Sequence, residues 1–246
     1  MISGTADPAA LAADAPLVAS LATLPLACRE CEVLQVVYEV RGDGRQAMLP
    51  PALHPVNPPA ITLTVLKVGA SDVGPFTLAE TRIVCRSGVR SRGFHVSCFV
   101  EGPRAGRLLA DCWGYRVREA AVELDRRYHG TSAVVRCGGA CVPLDMRLLS
   151  PRPLSAADVY FTDTMHMTRT PTGCRLVQVE RAYEVTEAER GRPSVVAFDG
   201  AAWGEPRLCP SHPVSAISLA AAVTFLPIRY VCRADVNALE GTERVG

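Results

Sequence analysis

The sequence predicts a mainly β (α+β) fold, a β-barrel or packed sheets with few helices. Three observations predict it. Short runs rich in β-branched and aromatic residues recur at fairly regular spacing. Clusters of Gly and Pro punctuate those runs. Only two stretches read as helix, one near the N-terminus and one in the middle. At 246 residues and 48% hydrophobic content the chain can bury a large core. No repeat, low-complexity tail or linker divides it, so residues 1–246 read as one domain.

In chain order, residues 7–26 are rich in Ala and Leu and read as partly helical, with Thr5 or Asp7 as cap. Pro25 limits that helix, so residues 1–30 form a helical extension. Residues 33–40 read as a strand, and Arg41-Gly42-Asp43-Gly44 as a turn. Prolines between Pro50 and Pro59 exclude regular helix there. Residues 61–68, 77–85 and 93–100 are strands, with Gly74-Pro75 and a basic loop (Arg86, Arg90, Arg92) between them. Residues 105–114 are the internal helix. Strands resume at 121–128 and 131–136, joined through His129-Gly130. Residues 149–154 hold two prolines and read as a loop before residues 158–168. Residues 174–184 read as one strand after the turn at Thr170-Pro171-Thr172-Gly173. Residues 194–198 and 223–232 complete the strands.

The formal net charge of +1 gives no electrostatic basis for a nucleic acid or an acidic membrane as partner. No apolar run reaches membrane-spanning length, and the N-terminus lacks the basic segment of a secretory signal. A reducing cytoplasm is the expected compartment. Most of the ten cysteines have irregular spacing and apolar surroundings, which suits buried thiols better than disulfides. The pairs Cys28/Cys31 and Cys137/Cys141 could together supply four thiolates to zinc. Their wide separation and the three-residue gap of the second argue against it, and no metal or cofactor is expected. Lys67 is the only lysine, so apart from the N-terminal amine it alone could form an imine.

The segment Asp111-Cys112-Trp113-Gly114-Tyr115-Arg116-Val117-Arg118-Glu119 resembles the acetoacetate decarboxylase superfamily. Those enzymes carry an aromatic, a proline and then two lysines here, the first of which forms a Schiff base with a keto acid. This chain has Tyr115, Arg116, Val117 and Arg118. The likeness extends through Val36-Val37-Tyr38 with Leu49-Pro50-Pro51-Ala52-Leu53, through the strand at 61–68, through Gly74-Pro75-Phe76-Thr77-Leu78-Ala79-Glu80, and through residues 214–227. The resemblance implies a β-barrel flanked by sheets and a few helices, in a homo-oligomer. It places Glu80 as a pocket glutamate, Thr64 where a second carboxylate would stand, and Val117 where the reactive lysine would stand. Guanidinium stays protonated at physiological pH, so neither arginine replaces that amine.

Each candidate has two readings. Glu80 is either a general acid or base whose pKa burial raises toward neutrality, or a solvated strand residue sharing a face with Arg82. Arg116 and Arg118 either hold a carboxylate or enolate oxygen, or pair with Glu119 or Asp111 or are simply exposed. If extended, they share a face. Phe94, Trp113 and Tyr115, with Thr64 and Val117, either wall the substrate cavity or pack in the core. Alternation in 61–68 turns Lys67 away from the face of Thr64. His95 and His166 read as core or pocket-lining groups. The function implied is a lyase- or isomerase-type enzyme acting on a small oxo acid or enolisable carbonyl compound without a Schiff-base lysine. Isomerase, dehydratase, cyclase and lysine-independent decarboxylase chemistry all fit, with natural-product biosynthesis as a setting. The alternative is a non-catalytic carrier or sensor using the same pocket.

Overall fold

The computed structural model describes residues 2–42, 45–139 and 141–245. The N-terminal amine, two residues of the turn expected at 41–44, and Ala140 between Cys137 and Cys141 lie outside the described residues. Helix α1 (Pro8–Ala12) is capped by the Asp7 carboxylate, which accepts from the Ala9 N–H. It is followed by β1 (Leu26–Val40), β2 (His54–Pro55), β3 (Ala60–Ser71), β4 (Phe76–Ser87) and β5 (Arg90–Glu101). Next come α2 (Pro103–Trp113), β6 (Val117–Glu119), β7 (Ala121–Arg127), β8 (Gly130–Cys137) and β9 (Cys141–Pro153). The chain ends with β10 (Thr164–Thr170), β11 (Gly173–Val179), β12 (Arg181–Phe198), β13 (Pro210–Phe225), β14 (Tyr230–Cys232), α3 (Ala238–Gly241) and β15 (Thr242–Arg244).

The strands join in one mixed sheet of order β15-β14-β11-β10-β5-β4-β3-β1-β13-β12-β9-β8-β7, with β2 on β4 and β6 on β5. It curls until β7 approaches β1, β3, β4 and β5, but β7 and β15 do not pair. The fold is therefore mainly β as expected, and the path is open where a closed barrel was expected.

Four expectations change. The N-terminal extension is helical for five residues only, and β1 begins at Leu26. Pro16 interrupts any continuation, and the chain runs extended so that Leu17 bridges Arg169. Residues 149–153 belong to β9, not to a loop. Pairing with β8 stops at Leu149, so the later prolines face an edge that asks for no N–H. The strand expected at 174–184 is two, broken at Glu180, where the chain passes from pairing β10 to pairing β13 and β9. The last expected strand divides likewise, between β13 and β14.

The central strands β1, β3, β4 and β5 are buried on both faces, which explains their near-continuous apolar sequence. Leu34, Leu63, Val65, Phe94 and Phe99 pack into one core cluster. Val33, Leu66, Leu78, Trp113, Tyr115 and Phe225 pack into the other. Helix α2 buries Ala105, Gly106, Leu109 and Trp113 on that second side. Gly114 ends it at φ +69°, with its N–H on the Ala110 carbonyl and Thr168 hard against its Cα. The chain then enters β6. Among the described residues no helix is long and apolar enough to cross a membrane.

Candidate active site

Strand register builds the site. Gln35, Thr64, Glu80, Cys98 and Val117 are cross-strand partners in succession on β1, β3, β4, β5 and β6. Residues so paired present their side chains to one face, here the face of the second core cluster. Arg82 lies two residues beyond Glu80 and shares that face. A bulge in β5 skips Val96 and sets His95 opposite Arg82. Without the extra residue Val96 would stand there, so the bulge is what brings His95 into the cluster.

Glu80 is fully buried. Arg181, the first residue of β12, sets Nη2 2.5 Å from Glu80 Oε1 and 2.6 Å from the Tyr115 hydroxyl. Arg82 Nη2 donates to Thr64 Oγ1 at 2.7 Å and to Gln35 Oε1 at 3.1 Å, and lies 3.8 Å from Glu80 Oε1. The backbone N–H of Arg116 donates to His95 Nε2 at 3.3 Å. That bond assigns the ring proton to Nδ1, which lies 3.9 Å from Glu80 Oε2. His166 stacks on His95 at 4.3 Å, and Tyr115 meets both rings edge-on. His166 Nε2 is 2.8 Å from the Thr164 hydroxyl.

Burial pushes the Glu80 carboxyl up, but Arg181 and Arg82, with the hydrogen bond from Arg181, outweigh it. The group is held below the usual carboxylate range. The expected rise toward neutrality is therefore corrected: two guanidiniums stand where an apolar wall was expected. Burial and the neighbouring positive charges hold His95 and His166 well below the usual imidazole value. Burial, aided by Glu80, holds the Tyr115 phenol well above its usual value. Burial opposes the charge on Arg181, yet Glu80 keeps it protonated. Two guanidiniums, one carboxylate and two neutral imidazoles leave one positive charge, which a single anionic ligand would balance.

Several buried polar atoms of the cluster have no protein partner: Glu80 Oε2, Arg181 Nη1, Arg82 Nε, and Nδ1 of both histidines. Leaving such atoms unsatisfied costs about 1–3 kcal/mol each, so their convergence favours a polar ligand. A recess of about 10 Å³, on the scale of one water, reaches Arg82 and Arg181 between Phe161, Asp163 and Tyr183.

The candidates distribute unevenly. Glu80, Thr64 and Tyr115 join the cluster, and Val117 ends the same cross-strand row. Trp113 stands behind Tyr115, its indole N–H on the Leu226 carbonyl. Phe94 lies in the core cluster on the opposite face. Arg116 and Arg118 share a face, but the one opposite Tyr115 and Val117. Their guanidiniums bond the carbonyls of Leu11 and Ala202. The reading of Glu80 as a solvated residue is overturned by its burial. Lys67 is on the surface, with Nζ 3.2 Å from Glu32 Oε2. Burial pushes Cys28 up to about 12 and Cys31 up to about 11, which favours thiol over the thiolate a metal needs. Among the described residues no group of three or more His, Cys, Asp or Glu side chains is placed to hold a metal ion.

Arg181, Arg82 and Gln35 carry much of the site and were not singled out for it in the sequence, whereas His95 and His166 were read as core or pocket-lining groups. Arg82 was noted only as a neighbour of Glu80.

The fold is shared with acetoacetate decarboxylase and acetoacetate decarboxylase-like enzymes of solved structure. The fold is that of acetoacetate decarboxylase from Legionella pneumophila subsp. pneumophila str. Philadelphia 1, at TM-score 0.73 and 19% identity, over 84% of this chain and 86% of that one. The enduracididine biosynthesis enzyme MppR complexed with pyruvate aligns at TM-score 0.68 and 17% identity, over 84% and 90%. An acetoacetate decarboxylase-like enzyme from Sphingomonas wittichii RW1 aligns at TM-score 0.66 and 16% identity, over 85% and 94%. No protein-family model and no curated protein sequence matches the chain.

Proposed function

We propose that the Glu80 cluster binds a small oxo acid or enolisable carbonyl compound and moves a proton on it without forming an imine. One observation carries this reading. The carboxylate of Glu80 and the hydroxyl of Tyr115 meet on one nitrogen of Arg181, inside a fully buried cluster with one positive charge to spare. The sole lysine lies outside it. Among the structural neighbours, MppR binds pyruvate.

The recess at Arg82 and Arg181 holds about one water, so Phe161 and Tyr183 part to admit a substrate carboxylate, which supplies the missing negative charge between Arg82 and Arg181. The two take the role that the sequence suggested for Arg116 and Arg118. The incoming anion competes with Glu80 for Arg181. Glu80 thereby loses part of what depresses its pKa and becomes a stronger base. It takes the proton next to the substrate carbonyl, and the enolate oxygen is met by a guanidinium or the Tyr115 hydroxyl. Return of the proton to a neighbouring carbon gives an isomerisation. Loss of a leaving group gives a dehydration. The same reading has the chain act as a single domain without metal or cofactor, in a cytoplasmic homo-oligomer. Its setting is natural-product biosynthesis, as for MppR.

The test is pyruvate in heavy water. Binding is measured by titration calorimetry, and loss of the methyl proton signal by NMR. The expected result is exchange catalysed by the wild type and binding without exchange by Glu80→Gln. Wild-type binding without exchange, there and with 2-oxobutyrate and acetoacetate, would favour the carrier or sensor. No binding of any of the three overturns the substrate class.

A further inference from the structure

Arg116 and Arg118 are turned away from Glu80; Arg116 is half-buried and Arg118 exposed. Alternation through residues 115–118 sends both side chains to the opposite face, where Arg169 of β10 joins them. The three line a recess of about 530 Å³, within the range of small-molecule sites. Pro16 and Ala110, both half-buried, give it apolar wall, and Asp14 is the one carboxylate on that lining. Each guanidinium bonds a backbone carbonyl: Arg116 that of Leu11, Arg118 that of Ala202, Arg169 that of Ala15. Among the described residues none of the three lies within ion-pair distance of a carboxylate. Elsewhere on the protein, arginines such as Arg126, Arg136 and Arg207 have such partners. A guanidinium has five N–H donors, so most of those in the recess remain free.

We propose that this recess, which borders the Glu80 cluster at Tyr115 and Val117, is a second ligand site that takes an organic phosphate. Three guanidiniums against one carboxylate leave two positive charges, the complement of a phosphate monoester dianion. Planar forks arriving from two strands suit a group with three terminal oxygens better than a single carboxylate, which one fork satisfies. The apolar wall fits the uncharged body of the ester.

Phenyl phosphate is the probe, titrated by calorimetry at low ionic strength. The expected result is saturable 1:1 binding to the wild type. Arg118→Gln/Arg169→Gln weakens it by about tenfold or more, the scale of two lost charge-assisted bonds. Arg104→Gln/Arg107→Gln, exposed on α2, keeps wild-type affinity. Glu80→Gln and saturating pyruvate leave it unchanged, so failure here is distinguishable from failure at Glu80. A measurement without variants accompanies it: phenyl phosphate protects Arg118 and Arg169 of the wild type from phenylglyoxal, read by peptide mass. Absence of saturable binding, equal weakening in both double variants, displacement by pyruvate, or no protection overturns the proposal.

Discussion

Arg181 and Glu80 stand 101 residues apart in sequence and 2.5 Å apart in space. One belongs to β12 and the other to β4, strands on different parts of the sheet path. The curl of the sheet brings them together, and the buried pair it makes sets the electrostatics of everything around it.

Breaking that pair on one side leaves a buried charge uncompensated. Arg181→Met should destabilise the fold by about 3–5 kcal/mol. Glu80→Leu combined with Arg181→Met should recover much of that loss. Urea unfolding of both variants checks this. If the single variant is as stable as the wild type, the ion pair is not formed in solution.

The pH dependence of stability has a definite sign. His95 and His166 have depressed pKa values in the fold, so the unfolded chain binds more protons once pH falls below the unfolded histidine value. Stability should fall by roughly 1.4 kcal/mol per pH unit per histidine below about pH 6.5. Glu80 adds its loss later, because its folded pKa is also depressed. Its contribution is complete above the unfolded glutamate value and disappears as pH falls through the folded one. Chemical unfolding from pH 7.5 to 5 should show the histidine slope, and His166→Gln should reduce it.

Lys67 carries no part of the proposed chemistry. Lys67→Arg should leave pyruvate binding and proton exchange within about twofold of wild type, as expected of a surface pair. Borohydride reduction with bound pyruvate should give no Lys67 adduct by peptide mass. An adduct there would restore an imine mechanism.

Gly114→Ala should be costly because φ is +69° and an added Cβ would fall 2.0 Å from Thr168 Cγ2. A loss of about 2 kcal/mol or more is expected from strain and overlap together. The thermal midpoint reads it. Since Gly114 aims Tyr115 toward Arg181, pyruvate binding should weaken as well.

Much of the fold was legible. The strands at 61–68, 77–85 and 93–100 and the helix at 105–114 follow from β-branched runs and turn residues, and the structure changes their bounds by only a few residues. Glu80 was legible as a candidate, but not its state. A glutamate near an arginine two positions on looks the same in sequence whether the pair faces solvent or a closed core. Only packing distinguishes them. The loop expected at 149–154 failed for the opposite reason, since proline excludes a strand only where the neighbouring edge needs its N–H.

By itself the sequence determined the strand content, the internal helix, the single lysine and the segment that carries Tyr115 through Arg118. These depend on local propensity, periodicity and composition, which act over a few residues. The tertiary structure decided the rest. A one-residue bulge in β5 turned His95 toward Glu80. Alternation through residues 115–118 turned Tyr115 toward Arg181, and Arg116 and Arg118 toward the carbonyls of Leu11 and Ala202. The curl of the sheet delivered Arg181 from a distant strand. Each depends on register between strands far apart in the chain, and a side-chain period of two means that one residue of register exchanges inside for outside.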